Sequence, residues 1–408
     1  MGKARGWASS RGEELEPLLE HTDLISVRWL RDLAAERRII PAWQKLPTEA
    51  KAELKDMREW RGDGLPIGVL SYGWGGPDHP DPAGLQLQAL LPVLSAIVTV
   101  CDTFSKNCTW GIFWDFPCLP QRGHTTGGGG EDRTQEQLER YGSAFRMIDC
   151  WYAHPHTYSM LLHGQMSELD GVAGYPIRRP CNQRGWCIAE RALSALVKDD
   201  PLLLELGELN APRDWADVLK QCKASRGPPL TPPAFEEMIR QGLAGGTLVF
   251  GVSGDVDLVI ERYREGFVRA FTNCSFISFK SMRWGDDEVI LLTQAMEYAH
   301  ANGGLGKLAR LGLSGNLIGD KGCTALAKAF TVSGAFKELL TVDLFSNKIG
   351  DAGGQALVEA LDRQGVLPKF TGIQLELNQL SMEGFQAVES AAGRSWRRNH
   401  HHPRKLKL

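Results

Sequence analysis

The sequence of 408 residues predicts an α/β protein in two parts: a parallel-sheet domain behind an N-terminal helical segment, then a C-terminal array of α/β repeats. Three observations predict it. Short apolar runs alternate with helix-period stretches between Ile67 and Leu206, the pattern of a parallel sheet with helices on both faces. A pattern with a period of 31 residues recurs between Leu308 and Leu380. Between the two lies RGPPLTPP (226–233), the composition of a linker. The expected domains are a helical segment over 13–60, the α/β domain over 64–225, a helical linker region over 226–275, repeats over 276–393 and a basic tail over 394–408.

Residues 1–12 are polar and are expected to be disordered. From Glu13 to Trp60, Leu15, Leu18, Leu19, Val27, Leu30, Leu33 and Ala34 recur at helical spacing, and Pro41 and Pro47 cut the pattern into short helices. Trp29, Trp43 and Trp60 read as the docking surface of this segment. Ile67–Tyr72 is the first predicted strand, Gly73–Gly84 a loop, and Leu85–Lys106 a buried helix bent at Pro92. Ile112–Phe116 is the second strand. Gly123–Arg133 contains four consecutive glycines but neither the Gly-Lys-Ser/Thr of a P-loop nor GxGxxG, and reads as a flexible insertion.

Thr134–Ala153 is predicted as one amphipathic helix opened by a Thr134/Gln137 capping box. Thr157–Leu162 is the third strand, residues 164–183 a loop, and the following helix carries Glu190 and runs to about Lys198. Leu202–Leu206 is a fourth strand, and no fifth is apparent. The segment up to Thr272 reads as two helices around Gly245-Gly246 and suggests no function.

In the last third, Leu308-x-x-Leu311-x-Leu313-x-x-Asn316-x-Ile318 returns as Leu339…Asn347-x-Ile349 and as Phe370…Asn378-x-Leu380. Each unit continues with Gly-Asp-x-Gly or its relic and a helical run, and a degenerate unit at Gly285-Asp286 is expected to cap the array. This pattern resembles leucine-rich repeats of the long, ribonuclease-inhibitor type. The resemblance implies Leu side chains packed between stacked strands and an Asn amide bonding the turn backbone. Residues between the Leu positions then face outward from the strands: Arg310, Gly312 and Ser314; Thr341, Asp343 and Phe345; Gly372, Gln374 and Glu376. A protein partner bound through Arg310, Asp343, Phe345, Gln374 and Glu376 is one expectation. Docking of the same face onto the α/β domain is the other.

Composition narrows the function. With 43% apolar residues, 23% charged residues and a net charge of −3, bulk electrostatic binding of nucleic acid is not expected. The longest apolar stretch, Leu85–Val100, is shorter than the ~20 residues of a membrane span. Nine scattered cysteines read as free thiols of a reducing compartment, and the absence of a signal-like leader points to the cytoplasm. There is no GxSxG, HExxH or paired CxxC pattern; His154-Pro155-His156 reads as a surface pair, Cys187 as a buried thiol without a His partner, and no metal ligand is assigned. The His400–His402 run falls in the expected tail.

Three further motifs carry a second resemblance. Ser71-Tyr72 with Trp74-Gly75, Asp115 with Cys118 and Gln121, and Trp186-Cys187-x-x-Glu190 follow one another over residues 66–198 in the order of the TIR superfamily, within its heterokaryon-incompatibility (HET) branch. Trp114 stands directly before Asp115, where that family spaces its Trp one residue further back. The resemblance implies a flavodoxin-like, TIR-like sheet with Ser71, Tyr72, Trp74, Asp115 and Trp186 around a ligand. In the family's enzymes it implies a glutamate that serves cleavage of the nicotinamide-ribose bond of NAD, a role that falls on Glu190. NAD enters only as a substrate, and no cofactor is required. Two readings stand: a signalling or scaffold protein whose α/β domain self-associates into a homo-oligomer, and an NAD glycohydrolase.

Overall fold

In a computed structural model of the chain, the described residues are 6–76, 78–123, 130–163, 179–198, 201–252, 254–332 and 334–399. Most of the glycine run, most of the loop before Cys181 and the His400–His402 run lie outside them. The chain divides into two units, Met1–Ser194 with Pro201–Ala224 and Met238–Arg262, and Ala195–Asp200 with Ser225–Glu237 and Tyr263–Leu408.

The first unit is built in the order β1 (Ile25–Ser26), α1 (Val27–Ala35), α2 (Leu54–Met57), β2 (Ile67–Ser71), α3 (Leu85–Asp102), β3 (Gly111–Phe113), α4 (Asp115–Cys118), α5 (Gln135–Arg146), α6 (Ile148–Ala153), β4 (Tyr158–Leu161), α7 (Gly185–Ala195), β5 (Leu203–Glu205) and α8 (Trp215–Gln221). Its sheet has the order β1-β3-β2-β4-β5, parallel except for β1. Every residue of β2 and β4 is buried, which is why both read as unbroken apolar runs.

The fifth strand, β1, lies where the sequence predicts helix. It pairs Ile25 with Ile112 and Ser26 with Gly111, and a Cβ on Gly111 would stand 2.7 Å from Leu24, so the missing side chain lets the segment close on the sheet. Two residues are too few to show alternation. The remainder of the N-terminal segment is helical in kind, largely as short 3-10 turns. Residues 6–12, expected to be disordered, are ordered in the same way: the Trp7 indole is buried and donates to Glu16 at 2.7 Å.

The predicted helix over Thr134–Ala153 is two, α5 and α6, interrupted at Met147 (φ −116°, ψ 15°). The Thr134/Gln137 capping box is present, with bonds of 3.2 and 3.1 Å. α3 has the length and apolarity of a membrane-crossing helix, and half of its residues are buried against its neighbours. His154, expected at the surface, is buried, and its Nδ1 accepts from the His156 amide at 3.2 Å.

Helices α9 (Pro232–Ala244) and α10 (Asp255–Asn273) follow, and then β6 (Phe276–Ser278), α11 (Asp286–Ala301), β7 (Arg310–Gly312), α12 (Asp320–Phe330), β8 (Thr341–Asp343), α13 (Asp351–Asp362), β9 (Gly372–Gln374) and α14 (Met382–Asn399). The second unit's sheet is parallel in the order β6-β7-β8-β9. The degenerate first unit is therefore a full strand-and-helix repeat. Residues 394–399, expected to open a solvated tail, continue α14, where Arg394 pairs with Asp362 at 2.7 Å and Arg398 donates to the Asp362 carbonyl at 2.9 Å.

Two side-chain ladders hold the repeats in register. Asn347 donates to the Leu313 and Leu344 carbonyls, both at 3.0 Å, and accepts from the Ile318 amide at 3.1 Å. Asn316 and Asn378 do the same one repeat away on either side. Asp286, at the start of α11, accepts from the Gly319 and Gly322 amides, and Asp320 accepts from those of Gly350 and Gly353, all between 2.7 and 2.9 Å. A Cβ on Gly322 or Gly353 would lie 2.7 or 2.8 Å from that carboxylate, which is the physical content of the Gly-Asp-x-Gly motif.

Asn347→Ala should leave the Ile318 amide unpaired and take one of two side-chain donors from each of the Leu313 and Leu344 carbonyls, destabilising the unit by about 1–3 kcal/mol in urea denaturation. The exposed neighbour Lys348→Ala should change stability by no more than about 0.5 kcal/mol.

Candidate functional site

In the first unit, β2 lies between β3 and β4, its neighbours on opposite sides. The connection from β2 runs to β3 on one side and the next, from β3, returns past β2 to β4 on the other, and ligands of open α/β sheets bind outside the carboxyl ends of the strands at such a switch point. Ser71 ends β2, Asp115 stands two residues past the end of β3, and His163 two past the end of β4. α7 starts at Gly185, where a Cβ would stand 1.9 Å from the Phe250 ring, so a side chain there would displace that ring. An isolated bridge between Arg184 and Val249 fixes the same point.

Glu190, one turn into α7, accepts from Ser71 Oγ at 2.6 Å, and Ser71 Oγ also bonds His163 Nε2 at 2.9 Å. The Tyr152 hydroxyl, which donates to the Leu70 carbonyl at 3.0 Å, also bonds the carboxyl. Burial drives the Glu190 carboxyl well above the usual carboxylate range, the charge of Asp115 adds to the shift, and the Ser71 and Tyr152 bonds oppose it. Among the described residues no arginine or lysine pairs with it. Arg191 is engaged by Glu205 at 2.6 Å, and Arg184 donates to the Trp74 carbonyl at 2.7 Å. Burial, with the nearby Arg191 charge, lowers His163 to about 3, so its imidazole is neutral.

Asp115 sits in a different environment. One oxygen accepts from the Tyr72 hydroxyl and from the Phe116 amide at 2.8 Å, and the other from the Trp74 indole at 3.2 Å. Burial raises its pKa against these three bonds. Both oxygens are thus occupied in tying the segment after β2 to the start of α4. Trp186 faces neither carboxylate: its indole donates to Asp255 at 2.9 Å and its ring meets Phe145 edge-on at 5.3 Å. The structure therefore brings Ser71, Tyr72, Trp74, Asp115 and Glu190 to one rim and engages Trp186 elsewhere.

Sequence reasoning missed two groups here. His163 and Cys181 meet Cys187, with donor atoms all within 4.8 Å of one another. His163 follows the predicted third strand directly and Cys181 precedes the Glu190 helix, but no fixed spacing links them.

On the second unit, the strand residues divide by exposure. Arg310, Phe345, Gln374 and Glu376 are exposed, while Thr341 and Asp343 are half-buried and Gly312 is buried. Lys280 crosses Gly312, where a Cβ would stand 2.8 Å from its Cε, and pairs with Asp343 at 2.5 Å. Arg310 lies 4.8 Å from the Phe276 ring. Beyond the strands, Leu377 is 70% exposed with a positive φ of 58°.

Residues 307–327 and 339–358 match the family model described as Leucine Rich repeat. The C-terminal part carries leucine-rich repeats. Among solved structures, one titled "Leiomodin-1 Actin-Binding Site 2 (ABS2)" is similar at 14% identity and a TM-score of 0.25, over 33% of this chain and 87% of that one. A search of curated proteins gives no match. These findings lend no support to a TIR or HET domain in the N-terminal part.

The Glu190 environment has a thermodynamic signature. Its folded pKa is raised, so the native state holds a proton that the unfolded chain releases near pH ~4.3, and stability falls as pH rises from there towards the folded value. Glu190→Gln should remove this part of the slope: the variant melts close to wild type near pH ~4 and above it at pH ~8 in pH-resolved thermal denaturation.

Proposed function

We propose that the protein is an intracellular signalling or scaffold protein of the cytoplasm, in which the leucine-rich repeats bind a protein partner and the α/β unit acts by self-association. Neither nucleic acid nor membrane is part of this reading. The observation that carries it is a comparison of equivalent positions along the array. Two residues before each ladder asparagine stand Ser314, Phe345 and Glu376, so the repeat itself does not call for an aromatic. One residue before it stand Gly315, Ser346 and Leu377, all with positive φ of 55–70°. Glycine adopts that conformation without strain; a leucine there is strained and, at 70% exposure, buries little in its own fold. Apolar side chains kept exposed against local preference suit a partner's surface. The nine free cysteines support a reducing compartment.

A partner recovered by cross-linking to wild-type protein should bind Phe345→Ser and Leu377→Gly roughly ten-fold or more weakly. Leu377→Gly should keep its melting temperature, and Lys328→Glu, at an exposed position of α12, should keep its affinity. Equal binding by both face variants would remove this reading.

A second reading, NAD glycohydrolase activity with Glu190 as the carboxylate, is favoured by one feature. Glu190 is bonded only by hydroxyls, has no cation partner among the described residues, and stands at the switch point. Cleavage of the nicotinamide-ribose bond passes through a sugar cation that a carboxylate stabilises, and the cationic nicotinamide ring would itself favour the ionised form. Ser71, Tyr72 and Trp74 stand nearest in the chain and the fold to receive the ligand. Concentrated protein incubated with NAD should release nicotinamide, and Glu190→Ala should lose roughly a hundred-fold or more of that rate. No release by wild-type protein ends the reading.

A further inference from the structure

We propose that His163, Cys181 and Cys187 form a binding site for a divalent transition metal of the zinc class, held by two thiolates and one imidazole. The donors come from three parts of the first unit: the segment after β4, the short turn before α7 and the first turn of α7. Their ligand atoms all lie within 4.8 Å of one another. A tetrahedral ion with bonds of about 2.0–2.3 Å separates its ligands by about 3.3–3.8 Å, so a movement of about an ångström closes the set.

Two features mark this as more than two thiols packed beside a ring. The first is the orientation of the histidine. Ser71 Oγ bonds His163 Nε2 at 2.9 Å. With an ion on Nδ1 the Nε2–H would donate to Ser71, as metal-binding histidines are ordinarily held through their other nitrogen. The second is burial: Cys181 and Cys187 are 1% and 2% exposed, so solvent competes weakly for an ion.

Two thiolates and an imidazole select zinc or cobalt over magnesium or calcium, which prefer oxygen. Among the described residues no fourth donor joins the set. Binding balances as one divalent ion, two thiols and one neutral imidazole giving a neutral complex and two released protons. The site does not depend on the NAD-cleaving reading.

Full-length protein, purified under reducing conditions without chelator and supplied with zinc, should carry one zinc per chain by elemental analysis after gel filtration. The Cys181→Ser/Cys187→Ser variant should fall below a tenth of that while keeping its circular dichroism. Cobalt added to metal-free wild-type protein should give a thiolate-to-cobalt charge-transfer band and the visible bands of a tetrahedral ion, a readout independent of whether the variant folds. Reduced, folded wild-type protein that takes up neither ion overturns the proposal. So does a folded double variant that retains stoichiometric zinc.

Discussion

Where this chain passes from a parallel strand to the next helix in the repeats, and after β2 and β3, backbone amides and carbonyls lack a partner within their own element, and a side chain answers them. The repeats solve this with two residues per unit. The asparagine ladder bonds the turn after each strand, and the aspartate ladder bonds the amides at the start of the next helix. Each ladder residue reaches into a neighbouring repeat, so local satisfaction and the stacking of repeats are one interaction. The sheet unit meets the same demand less regularly. Asp81 accepts from the Gln86 and Leu87 amides at 3.1 and 2.9 Å at the start of α3, and Asp115 does so at the start of α4.

This difference in regularity explains what the sequence made legible. A satisfied turn repeated at a fixed interval becomes a period, so Asn316, Asn347 and Asn378 announced their role before any coordinates did. The apolar runs of β2 and β4 were equally plain, because a strand buried on both faces admits only apolar or small residues. β1 was not, since its cause lies at Gly111, far along the chain. Arg394 and Arg398 read as a tail because Asp362, which holds them, comes from the preceding helix. The meeting of His163 with Cys181 and Cys187 was invisible for the same reason: three elements supply it, with no common spacing.

The candidate site sharpens when its two carboxylates are held to the same standard. Asp115 and Glu190 are both desolvated and both pushed upward in pKa, so electrostatics alone does not separate them. Their partners do. Asp115 accepts from a backbone amide and from two side chains that its bonds hold in place, so removing it would unpick the segment after β2. Among the described residues Glu190 accepts from no backbone amide; its partners are the hydroxyls of Ser71 and Tyr152, and the second of these has a carbonyl to bond as well. A buried acid that completes no turn and neutralises no cation is a net cost to the fold, which a glutamine or an apolar residue would lower. Its place at the rim where β2, β3 and β4 end, without a cation partner among the described residues, sets it apart from Asp115.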